Sequence, residues 1–505
     1  MNQFPNNDIV LTTLNARYMH TAFGLRYLYA NMGELQSSTV ICEFTLQQRP
    51  IDIVETLLAH SPKIIGFGVY IWNVAEITQT IELLKQVSPQ TIIVLGGPEV
   101  SHCPDQPTVV DNADYVLMGA AEKSFPVLCQ SLLSANKPSD KIIQCDELPL
   151  EQLKLPYRYY TDEDIKNRLI YVEASRGCPF KCEFCLSSLD KTSKPFELSV
   201  FLDEMDMLYR RGARNFKFID RTFNLKVSSS ISILEFFLDR MSDDLYLHFE
   251  VVPDNLPDRL KAVISRFPQH ALQFEIGVQT FDEDIQALIS RKQNNIKTRD
   301  NLHWLREHTN AYIHADLIFG LPADSMNNFA SSFDQLVALN PHEIQLGILK
   351  RLRGVPLNRH NENYEIRYNP EAPYNVLCTR DIDFTTMQRV NRFARYWDMI
   401  ANSGRFNNTL PLILSQNAFS NFMQLADMIY TKTGATWKIS LQRLFVLLYE
   451  CLKIRSDIDA EILFECLQKD YSRTSEKKSL ALLLNNREAV KRIGIANKRQ
   501  LKSLQ

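Results

Sequence analysis

A chain of 505 residues is long enough for two to four domains, and its 45% hydrophobic and 23% charged residues are ordinary for a globular protein. The formal net charge of -3 argues against a broad nucleic-acid or membrane footprint. The opening residues are polar and lack a signal-peptide pattern, and no apolar run reaches the roughly 20 residues that a bilayer crossing needs. A cytoplasmic location with no nucleic-acid or membrane partner is therefore expected.

Residues 1–135 read as an α/β, Rossmann-like domain. Apolar β-rich runs at 8–13, 39–45, 63–69, 91–97 and 114–119 alternate with amphipathic stretches at 22–32, 51–59 and 73–87, and 98–113 is irregular. Strands that are apolar throughout and alternate with helices predict a doubly wound parallel sheet, whose ligands bind outside the strand carboxyl ends. A helix and then a polar, proline-containing linker at 136–165 follow. A second series fills 166–355, with strands predicted at 168–174, 215–220, 245–251, 272–278, 312–320 and 343–349 and helices at 197–211, 228–241 and 281–309. Six βα units are too few for an eight-fold barrel and fit a partial, open (β/α)6 barrel. Residues 356–505 form a third, mainly helical domain that ends in a basic tail, KRQLKSLQ, read as a solvated end.

Seven of the ten cysteines are scattered singly and are expected as small buried hydrophobes without disulfides. The other three, Cys178, Cys182 and Cys185, form C-x3-C-x2-C in SRGCPFKCEFC, directly after the first strand of the second series. So tight a spacing lets one loop present three thiolates to one centre, and thiolates are the usual ligands of iron–sulfur clusters. A closed zinc site would need a fourth Cys or His; His248 and His314 could approach in the fold.

This stretch, with an aromatic Phe184 before the last cysteine, resembles the signature of the radical S-adenosylmethionine (SAM) superfamily. The resemblance implies a [4Fe-4S] cluster whose open iron binds SAM, reductive SAM cleavage, and hydrogen abstraction from an unactivated carbon. It also implies the partial barrel counted above and a flavodoxin- or ferredoxin-type electron donor. By the same resemblance Phe184 and the FIDRTFN residues Asp220 and Arg221 meet SAM, as do Glu275 and Gln279 of FEIGVQT. Arg291, on the following helix, pairs with the SAM carboxylate, and Ile318 and Gly320 of HADLIFGLP form an adenine motif.

The N-terminal domain resembles the cobalamin-binding domain of cobalamin-dependent radical SAM proteins through LNARYMHTAFGLRYL, GVYIWN, LGGPEVSH and DYVLMGAAEKSF, each after a predicted strand. The resemblance implies cobalamin contacts from Asn15, Tyr18, His20, Thr21 and Glu122, an aromatic wall from Tyr70, Ile71 and Trp72, and close backbone approach to the corrin at Gly96 and Gly97. The D-x-H-x-x-G cobalt-ligand motif is absent, with His20 and His102 outside any such pattern, and Gly-Ala-Ala-Glu stands where relatives commonly have Gly-Glu-Gly-Glu. The text after the sixth barrel strand is similar to an uncharacterised branch with a helical C-terminal domain of unknown function, and Cys378 within it is expected as an ordinary loop or core cysteine. Methyl transfer is the commonest outcome in such relatives, beside cyclisation and rearrangement. The alternatives are a cobalamin-independent enzyme that uses the sheet as scaffold, or a non-catalytic iron–sulfur or cobalamin sensor.

Overall fold

In the computed structural model, which describes residues 7–474 and 480–485, five of the N-terminal strands fall where the apolar runs predicted them. They are β1 (Ile9–Asn15), β2 (Thr39–Thr45), β3 (Ile64–Gly68), β4 (Ile92–Gly96) and β5 (Tyr115–Met118). A sixth, β6 (Ile142–Gln144), pairs parallel to β5 from inside the stretch expected as a linker. The sheet order β2-β1-β3-β4-β5-β6 is parallel throughout and reverses direction between β1 and β3. Such a reversal opens a crevice at the carboxyl ends of those two strands. Both faces are covered: Ile53, Ile77 and Ile81 pack on one, Leu25, Phe125 and Leu128 on the other, as a parallel sheet requires.

The second sheet runs in sequence order through β7 (Ile170–Val172), β10 (Asn215–Phe218), β11 (Tyr246–Val251), β12 (Leu272–Gln279), β13 (Tyr312–Phe319) and β14 (Glu343–Ile348), and its edges β7 and β14 do not pair. It is an open six-stranded parallel barrel. Between β7 and β10 a two-residue hairpin, β8 (Ser175–Arg176) and β9 (Lys194–Pro195), closes the cysteine loop. Outward side chains such as Phe216, Phe249, Phe274 and Leu317 are buried against helices. Those on the inner face of β12 are partly exposed, in strict alternation, and they are polar: Gln273, Glu275 and Gln279.

The stretch 281–309 is not one helix. Asp282 caps Glu283–Leu288 and Asn294 caps Asn295–His308, each accepting a backbone N–H, and Ser290 between them has a φ of +54°. Asx caps offer the backbone an early start that competes with a continuous helix. Beyond β14 come the hairpin β15 (Arg367–Tyr368) and β16 (Val376–Cys378) and then helices Phe384–Trp397, Ala418–Thr433, Leu441–Leu452 and Ala460–Ser472. They share one apolar core with the barrel: the Phe333 ring lies 4.8 Å from Trp397 and 5.8 Å from Phe419. The basic tail lies outside the described residues. Among the described residues no helix is long and apolar enough to cross a membrane.

The two sheets are fastened by a buried cluster of four charges. Arg26 bonds Glu43 at 2.9 Å and Asp164 at 2.7 Å, while Arg168 bonds Glu43 at 2.6 Å and Asp164 at 2.8 Å. Burial works against both carboxylates, yet Arg26 and Arg168 together, with the Thr161 backbone N–H at Asp164, outweigh it and hold each below its usual range. Removing one partner of a buried pair costs about 3–5 kcal/mol because the other charge is stranded. Glu43→Gln is therefore expected to lower stability by that order in chemical denaturation, and an unchanged midpoint would contradict the assignment.

A second buried carboxyl sets a pH dependence. Asp324 accepts from the Gly320 and Ser325 backbone N–H groups at the turn after β13, and burial pushes its pKa up to about 7. An acid weaker in the folded than in the unfolded chain gives full stability below about pH 4, and that stability drains away as pH rises to about 7. Asp324→Asn should flatten the stability-versus-pH slope in that window by up to about 1.4 kcal/mol per pH unit, measured by denaturation at stepped pH.

Candidate active site

The carboxyl ends of both sheets face a common interior that holds two cavities. The smaller, of about 230 Å³, is lined by Cys178, Cys182 and Cys185 together with Phe184, Glu275, Gln279 and Arg291. The larger, of about 1250 Å³, lies between the sheets and is lined by Asn15, His20, Thr21, Tyr70, Trp72 and Glu122 from the N-terminal side. Arg221, at the end of β10, lines both.

The cysteine loop is fixed from several directions. The Cys178 backbone N–H donates to the Asp190 carbonyl at 3.1 Å. Gly177 has a φ of +87°, and a Cβ there would fall 2.3 Å from the Thr192 carbonyl oxygen. Glu183, between the second and third thiols, is buried and accepts from Ser290 Oγ at 2.6 Å and from Arg359 at 2.7 Å, with His360 Nε2 at 3.1 Å. Its backbone N–H reaches the Ile289 carbonyl and its carbonyl takes the Leu357 N–H. This carboxylate therefore ties the thiol loop to the segment after β14, and sequence reasoning passed over it. Its one signal was an acidic residue inside an otherwise apolar and basic loop.

Around the thiols, Glu275 accepts from Lys217 at 3.2 Å and lies 3.0 Å from His248 Nε2. Burial opposes its charge, but the His248 hydrogen bond and the Lys217 charge outweigh that and hold the carboxyl well below the usual range. Gln279, a lining residue, has a φ of +69° and a buried Oε1 with no hydrogen-bond partner. Arg291 sits in the loop between two helices, not on a helix, with Nη1 3.6 Å from Cys182 Sγ. Glu250 and Asp316, absent from the sequence expectations, also line this cavity; each occupies an inward strand position. His248 and His314 are engaged by Glu275 and Asp316 and do not line it. Among the described residues no three His, Cys, Asp or Glu side chains gather about a single ion. Three thiols spread around one cavity fit a multi-iron cluster, which spans ligands that a single zinc would need to draw together.

Asp220 faces the larger cavity and accepts from Ser175 Oγ at 2.6 Å and Ala174 N at 2.9 Å; burial pushes its carboxyl up to about 7. Ile318 and Gly320 line neither cavity. Gly320 has a φ of +89°, and a Cβ there would fall 3.1 Å from the Met387 side chain, so its turn packs on a C-terminal helix.

In the larger cavity the Tyr70 and Trp72 rings are stacked at 4.4 Å and 8°. Both follow β3, while Asn15 ends β1, so the aromatic pair stands at the point where strand order reverses. His20 Nδ1 meets the Tyr171 hydroxyl of β7 at 2.7 Å, and burial lowers its pKa. Glu122 pairs with Arg176 at 2.8 Å across the two sheets. Tyr18 is exposed and donates to Glu163 at 2.8 Å; neither it nor Ile71, Gly96 or Gly97 lines the cavity. Gly97 owes its identity to the fold: at a φ of +101°, a Cβ would stand 2.5 Å from the Val69 carbonyl oxygen. His102 packs on Gly354, and Cys378 is half-buried on β16; neither lines a cavity. A roomy cavity with a flat aromatic pair at the switch point fits a planar macrocycle.

Comparison with known proteins agrees with this division. Residues 9–129 match the B12 binding domain, 172–336 the Radical SAM superfamily, and 362–503 a protein of unknown function (DUF4080). An uncharacterized methyltransferase of Pyrococcus horikoshii is 25% identical over 42% of this chain and 50% of its own length. The cobalamin-dependent radical SAM methyltransferase TokK of Streptomyces tokunonensis is 23% identical over 62% of this chain and 51% of its own. The chain thus spans about half the length of these curated relatives. The structure of the radical SAM methyltransferase TsrM of Kitasatospora setae, with cobalamin and a [4Fe-4S] cluster bound, is similar with a TM-score of 0.56 at 15% identity, over 72% of this chain and 76% of that one; this likeness is one of fold. In chain order, the chain thus carries a region that matches the B12 binding domain, one that matches the Radical SAM superfamily and one that matches DUF4080.

Proposed function

We propose that the chain cleaves SAM reductively at a [4Fe-4S] cluster held by Cys178, Cys182 and Cys185 and, with cobalamin on its N-terminal sheet, methylates an unactivated carbon of its substrate. The observation that carries this reading is Arg221, whose side chain belongs to the wall of the thiol cavity and of the larger cavity alike. When bound, the cluster supplies an electron and an open iron for SAM, and cobalamin supplies a transferable methyl group.

The chain's own residues bind and orient. Glu275, kept ionised by His248 and Lys217, and Gln279 Oε1 offer acceptors to the amino and hydroxyl groups of SAM. Arg291 beside Cys182 and Arg221 beside Glu250 keep positive charge at the cavity wall, suited to a carboxylate. Phe180 and Phe184 give the thiol cavity apolar walls, which thins out competing water. Tyr70 and Trp72 present a face to the macrocycle, and Asn15 and Thr21 offer polar groups to its amide side chains. The name of the TokK relative supports methylation over cyclisation or rearrangement.

The test is anaerobic reconstitution with iron, sulfide and hydroxocobalamin, desalting, absorbance spectra, and assay of 5′-deoxyadenosine under dithionite. Wild type should retain cluster and corrin and form the nucleoside. Cys182→Ala should lose the cluster and more activity than the roughly 10–100-fold typical of losing an outer-shell partner; a cluster that survives it unchanged would sink the reading. SAM cleavage without corrin would reduce the N-terminal sheet to scaffold. Trp72→Ala, which removes one of the stacked rings, should weaken corrin binding about two- to tenfold at unchanged cluster content, read by titrating the reconstituted protein with hydroxocobalamin.

A further inference from the structure

Reductive SAM cleavage needs an electron from outside the chain, and the surface over the thiols has a chemical character of its own. The segments 176–194, 289–293 and 350–359 meet at the cysteine loop through Glu183, Ile289, Leu357 and Arg359. Together they carry ten Lys or Arg against two acids, in a chain whose totals are 56 and 59. Some of that charge is spent inward: Arg353 pairs with Glu99, Arg351 with Asp105 and Arg176 with Glu122. Lys194, also exposed, pairs with Glu147, while Lys181, Lys191, Lys292 and Lys350 are exposed and, among the described residues, without an ion-pair partner; Arg359 has a side chain 63% exposed while it holds Glu183.

The loop alternates. Pro179 and Lys181 face solvent while Cys178 and Cys182 face inward, so one thickness of chain separates the thiols from the surface. Lys292 also lines the thiol cavity, while Lys181, Lys191 and Arg359 do not, so a protein seated over those three approaches the cluster site without entering the cavity where SAM would bind.

Resting on the function proposed above, we propose that the exposed face formed by Lys181, Lys191 and Arg359 is the docking surface for an acidic one-electron carrier of the flavodoxin type. Its reduced flavin, the anionic hydroquinone, gives one electron to the oxidised cluster, [4Fe-4S]2+ becoming [4Fe-4S]+, and is left as the neutral semiquinone with its proton retained. Opposite charge steers the encounter, raising association about 10- to 1000-fold at low salt.

The experiment compares two reductants on reconstituted full-length protein: dithionite, and flavodoxin kept reduced by NADPH and its reductase. The variants are Lys181→Glu with Lys191→Glu and, as a control of equal charge change elsewhere, Lys453→Glu with Lys469→Glu on the C-terminal helices, where both lysines are exposed. The first pair should keep its cluster and its dithionite-driven formation of 5′-deoxyadenosine. It should lose flavodoxin-driven formation about tenfold or more at low salt, and about 1 M salt should erase the difference from wild type. The control pair should match wild type in both assays. Flavodoxin-driven activity untouched in the first pair, or lost equally in the control, overturns the docking surface. Loss of dithionite-driven activity in the first pair also overturns it, since those lysines would then serve the site itself. Wild type that makes no nucleoside even with dithionite removes the catalytic reading and this proposal with it.

Discussion

Two parallel sheets can share a site only if their carboxyl ends are held face to face, and that orientation rests on the buried square of Arg26, Glu43, Asp164 and Arg168. Apolar contact alone would let two curved surfaces slide. Four charges with every pairing satisfied do not slide, because a small displacement leaves a desolvated charge without its partner. Arg168 also donates through Nε to the Tyr18 carbonyl at 2.8 Å, and Thr21 Oγ1 donates to the Leu169 carbonyl at 3.0 Å. The loop after β1 is thereby laid along the start of β7. Glu122–Arg176, at the wall of the larger cavity, and Glu99–Arg353 are further ion pairs between the N-terminal sheet and the barrel.

The thiol loop is governed by a similar economy. Three neighbouring thiolates repel one another, and a loop carrying them must be held by something other than the thiols. Glu183 does this from the inside, drawing on Ser290 from the barrel and on Arg359 and His360 from beyond it. The segment after β14, which reads as featureless, is therefore part of the cluster's setting.

Much of the fold was legible because local pattern and burial coincide. Apolar runs such as TIIVLGG can only be covered strands, and all six barrel strands lie where period and length put them. What escaped was whatever depends on distant residues or short polar text. β6 is three residues with exposed ends and no alternation to read. The division at Ile289–Asn294 depends on Asx caps inside a helical period. The three cysteines were readable as a group because they lie within eight residues, and the structure places all three on one cavity. Asp220 was expected to meet SAM but faces the larger cavity, and Ile318 and Gly320 line neither, because a strand-end motif shows where the backbone goes and not which of two adjoining spaces a side chain enters. Gly97 was read as space for a ligand and proves to be space for Val69; from sequence alone both demands look the same. The four-charge square joins residues up to 142 positions apart, beyond any local signal.

The shared core of barrel and C-terminal helices has a consequence for how such a protein can change over time. Phe329 and Phe333 on the helix Met326–Ala338 are covered by Phe393, Trp397 and Phe419, all from the region that matches DUF4080. The border between the matched regions is thus not a border in the packed core. A barrel inherited without these helices would bare an aromatic face, and a barrel paired with foreign helices would need that face recut. Because the Phe333 and Trp397 rings are in contact, substitutions at the two positions are expected to be non-additive in their effect on stability.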